Sequence, residues 1–116
     1  MENNLYKKSY AFAIRIIRSY QFLSSKKREF IISKQLLRCG TSIGANVAEA
    51  NGAISKADFS AKLNISYKEC LETKYWLSLL KDTEFIDQRT YDSMHNDADE
   101  LAKILYTILS KTRKRF

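Results

Sequence analysis

The 116-residue chain contains no proline, although average usage is about 5%. Proline punctuates turns and loops, so its absence implies few, short connections between long helices. Glycine is nearly as scarce: Gly40, Gly44 and Gly52 are all there are, and all fall within Cys39–Ala53, CGTSIGANVAEANGA. The two cysteines, Cys39 and Cys70, are too few and too far apart for a zinc site or a disulfide scaffold. Each falls in an apolar helical register and reads as a small buried hydrophobe. A single histidine excludes the di-iron constellation of helical bundles, which needs a Glu-x-x-His pair from each of two helices. No uncharged run approaches the ~18 residues of a spanning helix, so no membrane association is expected. The N-terminus lacks a basic-then-apolar pattern ending in a cleavage site, and a cytoplasmic location is the expectation.

What remains is a globular composition, 45% hydrophobic and 28% charged, sized for one domain over 1–116. Lys and Arg outnumber Asp and Glu by 20 to 13, a net charge of +7 that favours acidic partners, nucleic acid first. An ordinary positive surface is the plainer alternative.

The apolar residues recur at spacings of three and four, which predicts amphipathic helices over 4–24, 28–51, 56–81 and 87–113. Short connections make these an all-α, antiparallel up-down-up-down bundle. The first helix buries Leu5, Ser9, Phe12, Ile16, Tyr20 and Leu23, with Ala13 and Ile17 widening the stripe. Lys7, Lys8, Arg15 and Arg18 take the other side. Lys26, Lys27 and Arg28 form a cationic connection. Either group suits phosphate contact or plain solvation.

The second helix has its seam at Leu36, Gly40, Ile43, Val47 and Ala50. Gly40, Gly44 and Ala48 form a small-residue strip that lets another helix approach closely, with a kink between Cys39 and Ser42 as the competing outcome. Gly52 reads as a helix stop in the left-handed conformation. Ser55 with Asp58 is a capping-box-like restart.

The third helix is apolar over a wide arc. One stripe is Phe59, Leu63, Tyr67, Cys70, Leu77 and Leu80. A second, Ala61, Ile65, Trp76 and Leu79, suggests a subunit interface, or else Trp76 closes the edge of the core. The last helix presents Tyr91, Met94, Ala98, Leu101, Leu105, Ile108 and Leu109. It opens acidic and closes basic at Lys111, Arg113, Lys114 and Arg115, which suits the helix dipole. A hairpin of helices two and three turning near Ala53 places Arg38 level with Glu69 and Lys34 level with Glu72, predicting two ion pairs worth ~0–1 kcal/mol each.

The block QLLRCGTSIGANVAEANGAISKADFSAKL, followed by ISYKECLETKYWLSLL, resembles the four-helix-bundle family of 23S rRNA intervening-sequence proteins. Ser42, Ile43, Gly44, Asn46, Val47, Ala48, Glu49 and Ala50 meet the family signature, with Gly44 where many members have proline. Cys39 takes a place often held by serine. The resemblance implies a bundle that in some members assembles as a homopentamer, and a related branch, the accessory protein of diversity-generating retroelements, binds nucleic acid and a reverse transcriptase. No biochemical activity is established for the intervening-sequence members.

Three functions follow as alternatives. The first is a non-catalytic oligomer that binds RNA or DNA through Lys7, Lys8, Arg15, Arg18, Lys26, Lys27, Arg28 and the C-terminal cations, by phosphate contact without base reading. The second is a scaffold that docks a partner protein. The third, an enzyme, finds no nucleophile, base–orienter pair, phosphate cradle or cofactor signature. Asn46 and Glu49 read as polar residues that satisfy backbone groups of the adjoining turn.

Overall fold

A computed structural model describes residues 2–113. It consists of four helices, α1 (Glu2–Ser25), α2 (Ile32–Asn51), α3 (Lys56–Asp82) and α4 (Gln88–Arg113). They run up and down in a rod of 46 × 21 × 21 Å. Each helix packs closely on its neighbour in sequence, whereas α1 and α4 meet along a thin seam and the diagonal pairs do not meet. One core fills the interior, with Phe12, Ile16, Leu23, Leu36, Ile43, Leu63, Leu77, Leu80, Leu101 and Leu105 all at 2% exposure or less. The predicted seams of α2 and α4 are buried nearly as read, with Tyr91 half-buried.

The glycine strip explains the close pairing of α1 and α2. A Cβ on Gly40 would lie 2.6 to 2.9 Å from three side-chain carbons of Ile16, and one on Gly44 would lie 3.3 Å from Ser9 Oγ. The helix runs unbroken through Cys39–Ser42, so close approach prevails over a kink. Ala48, the third residue of the strip, is on the surface.

Two boundaries differ from the sequence reading. The first concerns α2, which starts at Ile32 and not near 28. Arg28 sits in the left-handed region at φ 55°, which ends any helical path through it. Glu29 then folds back as a cap: its carboxylate accepts from the N–H groups of Ile31 (3.1 Å), Ile32 (3.0 Å) and Ser33 (2.6 Å). The Ser33 hydroxyl returns a bond of 2.6 Å to the Glu29 carbonyl. Burial alone would raise the Glu29 carboxyl; the three N–H donors outweigh it and hold the group below its ordinary value.

The second difference is at Gly52, which is not left-handed: its φ is −102°. The Gly52 N–H reaches the Glu49 carbonyl at 3.1 Å within ordinary right-handed geometry. A Cβ there would meet only that carbonyl, at 3.7 Å. Gly52→Ala is therefore expected to stabilise the fold by about 0.5 kcal/mol through loss of unfolded-chain entropy, measured by urea unfolding. A destabilised variant would show that the turn needs glycine's freedom. The left-handed role falls instead to Glu84 at φ 68° after α3. There the Phe85 N–H bonds the Leu80 carbonyl (2.9 Å) and the Glu84 N–H that of Lys81 (3.0 Å), a Schellman closure.

The turn between α2 and α3 restarts as read: Ser55 Oγ accepts from the Asp58 N–H at 3.0 Å. The Asp58 carboxylate accepts from Ile54 N–H at 3.2 Å, one residue before the usual capping-box partner.

Across the α2–α3 face, Arg38 bridges two acids. One guanidinium nitrogen lies 3.2 Å from Glu69 Oε2 and another binds Glu72. The Trp76 indole N–H donates to Glu72 at 2.9 Å, and this bond, with Arg38, holds the Glu72 carboxyl below its ordinary value. Lys34 is exposed, and among the described residues it forms no pair with Glu72. The guanidinium fork reaches two carboxylates at once, which a lysine at the level of Glu72 cannot displace. Asn46 donates to the Ser42 carbonyl one turn back, at 2.8 Å. Glu49 is exposed and pairs with Lys62 at 2.9 Å, so its role is an inter-helix tie and not satisfaction of backbone groups.

Buried hydroxyls complete this interface. Ser66 donates to the Ile43 carbonyl across the helices at 2.8 Å, and Thr73 to Cys39 Sγ at 3.2 Å. Burial pushes the Cys39 thiol up to about 11 and Cys70 up to about 12, so both stay neutral. On the other side, Asp99 of α4 accepts from Lys74 at 2.8 Å and pairs with Lys103 at 3.1 Å. The Lys74 bond, then Lys103, lowers its carboxyl from 3.8 to about 2. A depressed carboxyl contributes stability that is present above its unfolded value and is lost as pH falls toward its folded one. The melting temperature should therefore drop between pH 4 and pH 2 by a component that Asp99→Asn lacks. Identical pH profiles would remove Asp99 as its source.

Candidate nucleic-acid interface

Antiparallel packing gathers the end of α1, the start of α2, the end of α3 and the start of α4 at one pole of the rod. Arg18, Lys26, Lys27, Arg28, Lys34 and Arg89 are exposed there, with Lys81 half-buried. Two of the acids at this pole are committed to backbone. Glu29 caps α2, and Asp87 caps α4 by accepting from the Thr90 N–H at 2.8 Å. That bond, then the Thr90 hydroxyl, and lastly Arg89 and Lys27, hold the Asp87 carboxyl below its ordinary value. Asp82, Glu84 and Asp92 are exposed at the same pole, so its seven cations share it with five carboxylates, and what distinguishes it is the run Lys26–Arg28 beside Arg18.

The thin α1–α4 seam opens here into a groove of about 780 Å³. Phe22, Leu23, Phe85, Ile86 and Met94 give it an apolar lining. Arg15, Arg18, Lys27 and Lys81 stand around it, with Glu84 and Asp87 on the α3–α4 side. Local sequence accounts for the shape. The Schellman closure at Glu84 turns Phe85 back onto the core, while Phe22, one residue from the buried Leu23, keeps 46% of its surface exposed. Lys27 Nζ lies 5.9 Å from the Phe22 ring centre, and Lys81 Nζ 4.4 Å from that of Tyr91. These cations are held over aromatic faces.

The cations singled out in the sequence divide into three sets. Arg18, Lys26, Lys27 and Arg28 come together at this pole. Lys8 and Arg15 face α4: Lys8 pairs with Glu100 at 3.1 Å, and Arg15 with Asp97 at 2.6 Å and Ser93 at 2.9 Å. They latch the thin seam, and Arg15 also walls the groove. Lys7 and Lys111 are exposed near the opposite pole. Arg113 ends α4; Lys114 and Arg115 lie outside the described residues. Lys81, Phe22 and Phe85 are not legible as site residues in the sequence, because each reads locally as part of a helix face or a turn.

The apolar residues expected at an interface are spread along the outer side of α3. Ala61 and Ile65 are exposed and Leu79 is half-buried. Trp76 packs against the core edge while bonding Glu72. Tyr75 adds 58% exposure to this face. At the diagonal corner, α1 carries an exposed stripe of Tyr6, Tyr10, Ile14 and Ile17, between 38% and 57% exposed; Ile17, expected to widen the buried face, points outward instead, and the other three are not singled out in the sequence. Among the described residues, no helix is long and apolar enough to cross a membrane, and no group of three His, Cys, Asp or Glu could hold a metal ion.

The family model for 23S rRNA-intervening sequence proteins matches residues 1–107. Among solved structures, the chain is similar to a Bacteroides thetaiotaomicron protein of unknown function from the S23 ribosomal protein family. The two share 50% identity over 94% of this chain and 97% of that one, with a TM-score of 0.93. No curated protein matches.

Proposed function

The chain belongs to the 23S rRNA-intervening sequence protein family, and from that premise we propose a non-catalytic, self-associating bundle that binds nucleic acid through the cation cluster at the end of α1. The observation that supports this best is the gathering of Arg18, Lys26, Lys27 and Arg28 from α1 and its connection with Lys81 and Arg89 from the facing pair. Phosphates are recognised by such a cluster without any base contact, and each one neutralised releases counterions. Binding is measured as a salt series on unrelated RNA and DNA. Affinity should fall steeply with salt, and Arg18→Glu with Lys27→Glu should flatten the slope by about 0.9 for each duplex phosphate no longer neutralised. No binding at low salt, or binding indifferent to salt, removes this reading. A protein recovered by pull-down after nuclease treatment, with no nucleic-acid affinity, would favour a docking scaffold instead.

Lack of catalysis is supported by the chemistry of the candidate groups. The thiols are buried and neutral, and His95 is half-buried with its ring 5.1 Å from Tyr91. Self-association is supported by the two apolar stripes. They lie on diagonal corners, one on α1 and one on α3, and so are different surfaces. Two different surfaces mate head to tail, an arrangement that closes into rings, whereas a two-fold dimer mates one surface with itself. Light scattering on the wild type should give a multiple of 13.5 kDa. Ile14→Glu and Ile65→Glu should each reduce it. A monomeric wild type at tens of micromolar overturns the assembly.

A further inference from the structure

We propose that the ligand of the groove is a single strand, with an unpaired base stacked on Phe22 and its flanking phosphates on Arg18 and Lys27. The inference rests on the nucleic-acid reading above and gives it a substrate class. A site built for phosphates alone has no use for an apolar floor. Here the cations surround a groove lined by Phe22, Phe85, Ile86 and Met94, and Phe22 is 46% exposed. That pairing of anion sites with an aromatic surface matches the two chemistries a nucleotide offers once its base is unpaired. In a duplex the base faces are stacked inside and only phosphates and groove edges are presented, so Phe22 would have nothing to meet. The volume of about 780 Å³ falls within the range of small-molecule sites.

Charge sets the orientation. Arg15, Arg18 and Lys27 stand on the α1 side of the groove, whereas on the α3–α4 side Lys81 is joined by Glu84 and Asp87. Phosphates are therefore favoured along α1, where no carboxylate lines the groove, while the exposed Glu84 on the opposite side is left to accept from an amino group on a base edge. An acidic peptide with an apolar anchor would satisfy the cations and the floor. Its backbone N–H groups would meet Glu84 as well; the flat π-face that every unpaired base lays on Phe22 is what favours the strand.

The test uses the full chain and compares an unstructured oligonucleotide with a perfect duplex of equal charge by fluorescence anisotropy at fixed salt. Wild type should prefer the single strand. Phe22→Ala should lower the ratio of single-strand to duplex affinity about fivefold or more, and Phe22→Trp should keep it. Melting curves of both variants establish that they are folded. If both nucleic acids bind and the ratio does not respond to Phe22, the stacking proposal fails while the nucleic-acid reading survives. If neither binds, the parent reading has failed. If a labelled acidic peptide binds in a Phe22-dependent way and oligonucleotides do not compete, the occupant is a protein and the proposal is overturned.

Discussion

Gly40→Val is expected to cost about 3 kcal/mol or more, a large share of typical stabilities of about 5–15 kcal/mol. Helix propensity alone points the other way, since glycine in a helix interior is the poorer residue by up to about 1 kcal/mol. Packing decides the sign. The first added carbon already falls 2.6 Å from Ile16 Cγ1, 2.7 Å from Cδ1 and 2.9 Å from Cγ2. Ile16 is fully buried and branched at Cβ, so turning it moves one branch away and brings another in. The helices must separate, and that loosens the α1–α2 seam along its length. Denaturant unfolding of Gly40→Val, Ile16→Ala and the double variant measures this. The double variant should be more stable than the sum of the two single losses predicts. Additive losses, or a Gly40→Ala variant as stable as wild type, would show slack between the helices.

Glu29→Ala is the second large effect, a loss of about 2–3 kcal/mol. Removing the carboxylate orphans three N–H groups of the first turn of α2, one of them in a buried bond. Glu29→Gln keeps one acceptor oxygen and should recover about half of the loss. The held-down carboxyl adds a pH signature: its stabilisation is present above the ordinary value of 4.5 and is lost as pH falls below it. Glu29→Gln should lack that component. Wild-type stability in Glu29→Ala would mean that water caps the turn equally well.

The fold is legible in the sequence because its code is periodic. Residues such as Leu36, Ile43 and Val47 repeat at the helical interval, and the repeat survives whatever the neighbours do. Gly40 and Gly44 announce close approach for the same reason. The misses are all residues whose partners are distant or whose role contradicts their type. Ser66 and Thr73, polar by type and absent from the predicted apolar stripes, bury their hydroxyls against α2. Glu29 is not a preferred capping residue, and only the left-handed Arg28 before it brings the carboxylate over the helix start. Residue type favours glycine for a left-handed position that Glu84 in fact holds. The groove is invisible for a further reason: its floor and rim come from α1, the α3–α4 connection and α4, which no single window of sequence contains.

The order of packing also bears on how the chain reaches this shape. All three thick interfaces join helices adjacent in sequence, and the one pair that must be brought together from opposite ends of the chain, α1 with α4, shares the least surface. Little loop-closure entropy is spent before contacts form, because each hairpin can zip onto the one already made. Such low contact order places refolding in the microsecond-to-millisecond range. The latches Lys8–Glu100 and Arg15–Asp97 would then be the last contacts to close and the first to open.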